Sequence, residues 1–500
     1  MILPLSIFAI NLSTGNIILL VSLLMFVAIL LSKVGTKFGV PSMLLFLLIG
    51  MVAGQDGIGI HVNNLKVAEF IGHLAMTIIL LSGGLETSLD ETRPIIKKGI
   101  SISTLGVFLT ILITGTFIWL VLGEKIGGAG KSLIGCFLLA TVLSSTDSAS
   151  VFSILRGRRL SLRENLGPLL ELESGSNDPM AYVLTILLVQ IMESLENVSC
   201  TSGTWHVILM GVWIFIKQII IGFGTGLALG YAARWLLPRV HLIAGPLYSV
   251  MILSIALFAN GAASFLGGNG LLALYISAII IGNTKELPHK KNILLFSEGI
   301  TWMSQLMMFL LLGLLAKPSQ MSGMIWPALL IGLFLMLVAR PAGIILSLLP
   351  FKGLSLKAKL LASWVGLKGA GPILFALYTV LEGVEGSNEI FNIVFIITLL
   401  SLLVQGMTLS PMAHLLNLSI EDDPEVKTFG MEIPEYMGLL RDHTVSEQDL
   451  AGGDTLRDLR LPHGIRVVMV RRGDKYLVPH GSMKLMPDDL LILILGDSDD

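Results

Sequence analysis

Charged residues are scarce in this chain: Asp, Glu, Lys and Arg make up 14% of its 500 residues, against roughly 25% in an average soluble domain. Hydrophobic residues reach 54% and the mean hydropathy is +0.83. A soluble fold has no interior large enough to hide so much apolar surface. The composition therefore excludes a soluble globular enzyme and favours a chain that crosses a lipid bilayer several times.

Cysteine and N-terminal basic residues are also scarce. The two cysteines, Cys136 and Cys200, are too few for a disulfide framework, so redox chemistry is not expected. No Lys or Arg precedes Lys33, which argues against the basic n-region of a cleaved signal peptide. We therefore expect the first hydrophobic span to remain in the mature protein.

Apolar runs separated by polar, Gly or Pro residues predict about thirteen transmembrane helices. Their expected limits are 16–33, 39–54, 67–86, 99–123, 132–155, 165–192, 206–234, 243–265, 268–283, 293–316, 323–349, 359–380 and 388–414.

The loop charges predict the orientation of these spans. Seventeen Lys and Arg residues fall in the loops after odd-numbered spans, and four in the loops after even-numbered ones. Because basic loops stay on the cytoplasmic side, we expect the N-terminus outside and the C-terminus in the cytoplasm of a bacterial inner membrane protein.

The composition changes at residues 421–424, Glu-Asp-Asp-Pro, and the remaining chain has strand-like patterning. Residues 465–470, 476–478 and 490–495 alternate or run apolar in the manner of strands, with a turn at 472–474. The sequence thus predicts a transmembrane domain over 1–418 and a small cytoplasmic α/β domain over 419–500.

Carboxylates inside spans are costly and need a reason. The densest group lies in the segment ELESGSNDP at 171–179, where Glu171, Ser174 and Asp178 share one helical face and Glu173 with Asn177 forms the neighbouring stripe. Carboxylate and hydroxyl oxygens together are the ligands that a dehydrated hard cation requires. This face predicts a site for a monovalent ion or a proton.

Two other spans carry helix-breaking sequences. The fifth contains LSSTDSAS at 143–150 with Asp147 at its centre, and the twelfth contains GLKGAGP at 366–372 with Lys368. Interrupted helices at corresponding places of two halves are typical of inverted-repeat transporters, whose binding site lies where the two interruptions cross. Lys368 is expected to offset the partial negative charge of helix C-terminal carbonyls there.

These residues resemble the monovalent cation:proton antiporter-1 family of NhaP-type exchangers. The resemblance rests on Thr146 with Asp147, on the motif at 173–179, on Arg340 before a proline, and on the GLKGA motif, and it covers about residues 16–415. The tail is similar to a TrkA-C domain, the C-terminal lobe of regulators of potassium conductance. Together they resemble bacterial potassium/proton antiporters.

The resemblance implies a role for each motif residue. Asp178 would carry the cation and the proton in turn, and Asp147, Ser174 and the carbonyl of Thr146 would complete the cation shell. The supporting residues would be Asn177, Lys368 and an ion pair between Glu173 and Arg340. The family's Asn-Asp pair implies electroneutral one-for-one exchange, whereas Lys368 departs from the arginine common in the family's motif.

The resemblance also implies partners. Potassium or sodium and protons are the expected substrates, no cofactor is expected, and a homodimer in lipid with a small-molecule effector at the tail is typical of such proteins. No partner nucleic acid and no enzymatic activity are expected.

Several alternatives remain open at this point. The cluster around Asp178 could be a structural polar network, and the tail domain could gate a cation channel, although no TVGYG-like filter sequence is present. Asp147 and Asp178 could form the dyad of an intramembrane hydrolase. Glu171, Lys217 and Glu298 receive no role from the sequence.

Overall fold

The computed structural model of the chain describes residues 14–37, 40–62, 64–123, 132–158, 160–197, 204–285, 287–421, 440–445, 449–459, 465–473, 475–487 and 489–495. The chain divides into two compact units, Met1–Asp422 and Asp423–Asp500. Cys200 and most of the acidic stretch at 421–424 lie outside the described residues.

The first unit is built from apolar helices. Seven of the described helices are long and apolar enough to cross a bilayer unaided, and five shorter helices are also apolar. The helices are α1 (Thr14–Lys37), α2 (Ser42–Ala53), α3 (Leu65–Glu86), α4 (Ile96–Leu122), α5 (Leu133–Val142), α6 (Ser148–Gly157), α7 (Leu166–Asn197), α8 (Thr204–Leu236), α9 (Pro246–Phe265), α10 (Gly270–Gly282), α11 (Lys290–Leu315), α12 (Pro318–Ser347), α13 (Leu356–Trp364), α14 (Ala370–Leu381) and α15 (Ser387–Leu415).

Two of the thirteen predicted spans are each occupied by a pair of short helices. The fifth span consists of α5 and α6, and the twelfth of α13 and α14, each pair joined by a non-helical link. Every other predicted span contains one helix of the first unit. The prediction of a polytopic helical protein with two interrupted spans is therefore confirmed.

Capping side chains fix where several of these helices begin. Asn64, Ser132, Asn269 and Ser355 each accept a hydrogen bond from the backbone amide three residues later, at the N-termini of α3, α5, α10 and α13. Such caps satisfy backbone donors that have no partner within the helix. In these four helices, the polar residue just before the first turn thus sets where the helix begins.

Small residues let helices of the core approach closely. A Cβ atom at Gly50 in α2 would lie 2.9 Å from the Cα atom of Gly313 in α11, closer than ordinary van der Waals contact. Glycines at both positions allow the two backbones to touch, as is common between membrane helices. This contact helps pack the helices that enclose the centre of the first unit.

A short antiparallel ribbon closes the first unit. Strand β1 (Leu160–Leu162), between α6 and α7, pairs with β2 (Ser419–Glu421), which follows α15. Neither strand was predicted from the sequence.

The second unit contains a four-stranded antiparallel sheet in the order β3-β6-β4-β5. Its strands are β3 (Leu440–Thr444), β4 (Ile465–Arg472), β5 (Lys475–Leu477) and β6 (Leu490–Leu495). The three strands expected from sequence are present within one or two residues, and β3 is additional. Val470, Leu485 and Leu491 lie in its small buried core.

Candidate ion-binding site

The link between α5 and α6 places Asp147 at the start of a helix. Its side chain accepts hydrogen bonds from the backbone amide of Ser150, at 3.0 Å, and from the Ser150 hydroxyl, at 2.5 Å. Asp147 is thus the N-cap of α6. A negative charge there also interacts favourably with the positive end of the helix dipole.

The two interrupted spans meet at this point. The backbone amide of Asp147 donates to the carbonyl of Leu367, in the α13–α14 link, at 2.8 Å. In the reverse direction, Nζ of Lys368 donates to the carbonyl of Ser145 at 3.0 Å. One backbone and one side-chain hydrogen bond therefore join the two links, and they satisfy polar groups of the unwound backbone that have no helical partner.

Helix α7 contributes three side chains to the same point. Ser174 donates to the carbonyl of Thr146 at 2.6 Å and accepts from the amide of Ser148 at 2.9 Å. Nδ2 of Asn177 donates to the Thr146 hydroxyl at 2.5 Å, and Asp178 accepts from the Ser145 hydroxyl at 2.5 Å. Helix α7 therefore holds Ser145 and Thr146 of the α5–α6 link and Ser148 at the start of α6.

Glu173 and Arg340 form a buried ion pair on the neighbouring stripe of α7. Their closest atoms are 3.0 Å apart, and the side chains are 3% and 6% exposed. Arg340 also donates to the carbonyls of Ser363, at 3.2 Å, and Val365, at 3.0 Å. The guanidinium thereby ties α12 to both α7 and the C-terminal end of α13.

Helix α15 forms hydrogen bonds with the α13–α14 link. The Ser401 hydroxyl accepts from the backbone amide of Lys368 at 2.9 Å and donates to Oε1 of Gln405 at 2.6 Å. Nε2 of Gln405 donates to the carbonyl of Trp364 at 2.8 Å. Lys368 is 2% exposed, and its Nζ atom is held by the hydrogen bond to the carbonyl of Ser145.

One cavity reaches the two aspartates. It has a volume of about 180 Å³ and lies between α3, α6, α7, α10 and α11. Its polar lining residues are Ser82, Glu86, Asp147, Ser148, Ser153, Arg156, Glu171, Ser174, Asp178, Tyr275, Glu298, Thr301 and Gln305. Since one water needs roughly 10–30 Å³, several waters or a partly hydrated ion fit beside Asp147 and Asp178.

The sequence matches a known transporter family over most of its length. Residues 21–415 match the transmembrane family of sodium/hydrogen exchangers, and residues 443–500 match the TrkA-C domain. The chain belongs to the sodium/hydrogen exchanger family. Neither match favours the channel or hydrolase alternatives.

Curated relatives agree with this assignment. The K(+)/H(+) antiporter NhaP2 of Shewanella baltica (strain OS223) is 37% identical over 489 residues, covering 96% of this chain and 81% of that protein. The K(+)/H(+) antiporter NhaP of Alkalimonas amylolytica is 37% identical over 414 residues, covering 82% and 68%. The Na(+)/H(+) antiporter NhaH of Halobacillus aidingensis is 27% identical over 334 residues, covering 65% and 77%.

The fold is also found in a solved structure. The sodium proton antiporter MjNhaP1 from Methanocaldococcus jannaschii superposes with a TM-score of 0.67 at 20% identity, covering 79% of this chain and 100% of that one. This similarity confirms the predicted helical membrane fold.

The structure brings the sequence-predicted site residues together and adds others. Asp178, Asp147, Ser174, Thr146 and Asn177 meet at the crossing, with Lys368 beside them and the Glu173–Arg340 pair on the adjacent face.

Sequence reasoning missed Ser145, Ser150, Ser401 and Gln405. The serine-rich composition of 143–150 was the available signal for the first two; Ser401 and Gln405 lie in an apolar helix and gave none.

Proposed function

We propose that this exchanger carries potassium, exchanged one-for-one with protons, and that Asp178 is the group that binds each in turn. The observation that carries the proposal is the position of Asp147 and Asp178. Both lie where the two interrupted spans cross, and both face the same cavity. Potassium is favoured over sodium because the relatives that cover most of this chain are named K(+)/H(+) antiporters.

Competition at Asp178 would couple the two ions. A carboxylate in a small, partly dehydrated site must be neutralised either by a proton or by a cation, and the two exclude each other. Either occupant would allow the site to change its facing side, whereas the empty charged site would resist the movement. Exchange then follows without any additional coupling device.

The remaining cation ligands would come from the α5–α6 link and from α7. The carbonyl of Thr146 and the hydroxyls of Ser145 and Ser174 lie next to the aspartates. The Ser174 hydroxyl already forms hydrogen bonds with Thr146 and Ser148, so cation binding would rearrange these bonds. Asn177, Lys368 and the Glu173–Arg340 pair would hold the link in place.

The wider assignment follows from the same family. We infer an inner membrane protein with its C-terminus in the cytoplasm, acting as a homodimer in potassium and pH homeostasis. The TrkA-C domain would bind a small-molecule effector that adjusts exchange.

The test is cation-induced pH change in proteoliposomes. Wild type is expected to dissipate a pH gradient on addition of potassium, with a weaker response to sodium. Asp178→Asn should abolish the response, because an amide cannot alternate between proton and cation. Asp90→Asn removes an exposed carboxylate from the short helix Leu89–Thr92 and should behave as wild type. Full exchange by Asp178→Asn would exclude Asp178 as the carrier.

A further inference from the structure

The cavity extends well beyond the two aspartates. Arg156 lines it nine residues after Asp147 in α6, about 13 Å along the helix at 1.5 Å per residue. Glu86 lines it as well, from the end of α3, and so does Glu298, from within α11. An ion that reaches Asp178 through this cavity must therefore pass other charged groups first.

Glu171 stands between these groups and the crossing. It lies seven residues before Asp178 in α7, on the same helical face and about 10 Å away along the axis. Both side chains line the cavity. Glu171 is partly buried and makes no hydrogen bond or ion pair with any described residue. A partly buried carboxylate that has neither a hydrogen bond nor an ion pair is energetically unfavourable inside a membrane protein, so it needs a partner.

Two hydroxyl groups without a hydrogen-bond partner in the described part of the chain line the same cavity. Tyr275 in α10 is 2% exposed and lines the cavity. Its hydroxyl is near Thr87 but makes no hydrogen bond of ordinary geometry within the described residues. The buried hydroxyl of Thr301, in α11, is likewise unpaired there. Burying a polar atom without a hydrogen-bond partner raises the free energy of the folded state. The two hydroxyls therefore indicate that the cavity binds a polar ligand.

Arg156 is the basic residue of the described cavity lining. Its guanidinium pairs with Glu86 at 3.6 Å, and the two side chains are 59% and 33% exposed. Glu86, Arg156 and Glu91 interact electrostatically with Glu171. Because Arg156 lines the same cavity as Glu171, its positive charge opposes the entry of a cation.

We propose that Glu171, with the hydroxyls of Tyr275 and Thr301, forms a second monovalent-cation site, here called the vestibule site, and that Arg156 limits its occupancy. The vestibule site would hold a cation on its way to Asp178, which rests on the function proposed above. Its ligands are one carboxylate and neutral oxygens, a set suited to weak binding and rapid release. Charge removal at Glu171 and at Arg156 should then act in opposite directions.

A binding measurement tests the site independently of transport. Thermal unfolding of the full chain in detergent is compared in potassium chloride and in choline chloride at equal ionic strength. Asp178→Asn is expected to retain a potassium-specific rise in the unfolding temperature, and the double variant Asp178→Asn/Glu171→Gln to lose it. Absence of the rise in the first variant, or its survival in the second, would overturn the vestibule site whether or not the protein exchanges.

Transport kinetics test its place on the route. In proteoliposomes, Glu171→Gln should raise the half-saturating potassium concentration three- to tenfold, more than it changes the maximal rate. Arg156→Gln should lower that concentration two- to fivefold, and Glu171→Asp should restore most of the affinity. Glu385→Gln, which removes an exposed carboxylate outside the cavity lining, is the matched control.

The pattern of results separates the two proposals. If wild type exchanges and Asp178→Asn does not, but Glu171→Gln has wild-type affinity, the vestibule site is wrong and the exchange mechanism stands. A fall in the maximal rate of Glu171→Gln at unchanged affinity would show a structural role and equally exclude the site. Shifts of the same sign at Glu171 and Arg156 would refute the role given to Arg156.

Discussion

Gly369 is the residue whose substitution tests the crossing geometry most directly. A Cβ atom added there would overlap the carboxylate of Asp147, lying 2.6 Å from its Cγ and 2.5 Å from its Cβ. The overlap is with the part of Asp147 that is held by Ser150 at the start of α6. The backbone of Gly369 has an ordinary negative φ of −96°, so alanine introduces a steric change without conformational strain.

The size of the effect follows from the cost of overpacking. Inserting a methyl group into a filled site costs about 1–3 kcal/mol. If the strain is relieved by displacing Asp147 from the cation shell, the same energy appears as a loss of cation affinity. At about 1.4 kcal/mol per factor of ten, Gly369→Ala should raise the half-saturating potassium concentration by roughly five- to 150-fold.

The assay is the initial rate of potassium-dependent pH change in proteoliposomes, with the folded fraction checked by size-exclusion chromatography. The matched control is Gly224→Ala in α8, because a Cβ atom at Gly224 has no neighbour within 4 Å. The control should exchange as wild type. Wild-type affinity in Gly369→Ala would refute the contact between the α13–α14 link and Asp147.

Two further predictions concern ion pairs. Arg340→Gln leaves Glu173 buried without its partner and should destabilise the first unit by about 3–5 kcal/mol, measured by thermal unfolding in detergent. The double variant Glu173→Gln/Arg340→Gln should recover much of the lost stability. A single variant Arg340→Gln as stable as wild type would contradict the pairing. In the second unit, hydrogen bonds from Arg472 at 2.7 and 2.8 Å hold the pKa of Asp489 below its usual range. The stabilisation is therefore complete above the unfolded pKa of about 3.9 and is lost as pH falls through the folded value. Asp489→Asn should lower hydrogen-exchange protection of β4 and β6 at pH 7, by about 1–3 kcal/mol, and equal protection in both proteins at pH 7 would contradict this.

The sequence indicated which helices would be broken, and a physical reason explains the success. A bilayer admits only apolar segments with satisfied backbones, so LSSTDSAS at 143–150 and GLKGAGP at 366–372 stand out against their surroundings. The same constraint made the acidic face of α7 conspicuous. In the second unit, β4 and β6 were recognisable from apolar runs, whereas β3, with the sequence LRDHT, lacks that pattern and was missed.

Contacts between residues that are distant in sequence could not be predicted in the same way. The hydrogen bond from the amide of Asp147 to the carbonyl of Leu367 joins residues 220 positions apart, and backbone groups carry no sequence signature. The cavity that joins Glu171, Tyr275 and Arg156 brings α10 together with the consecutive helices α6 and α7, from which α10 is distant in sequence. Glu171 could therefore receive no role until its surroundings were known.

Two neighbouring serines show how far the site can be predicted from the sequence. That hydroxyl groups lie close to Asp147 could be predicted from the sequence, because Ser144 and Ser145 both lie in the interrupted span. Their hydrogen-bond partners depend on the folded arrangement: Ser144 donates to the carbonyl of Thr141 within its own segment, while Ser145 donates to Asp178 in α7. The two side chains are chemically identical, and the direction in which the unwound backbone points each of them is set by the packing of α7 and the α13–α14 link against it.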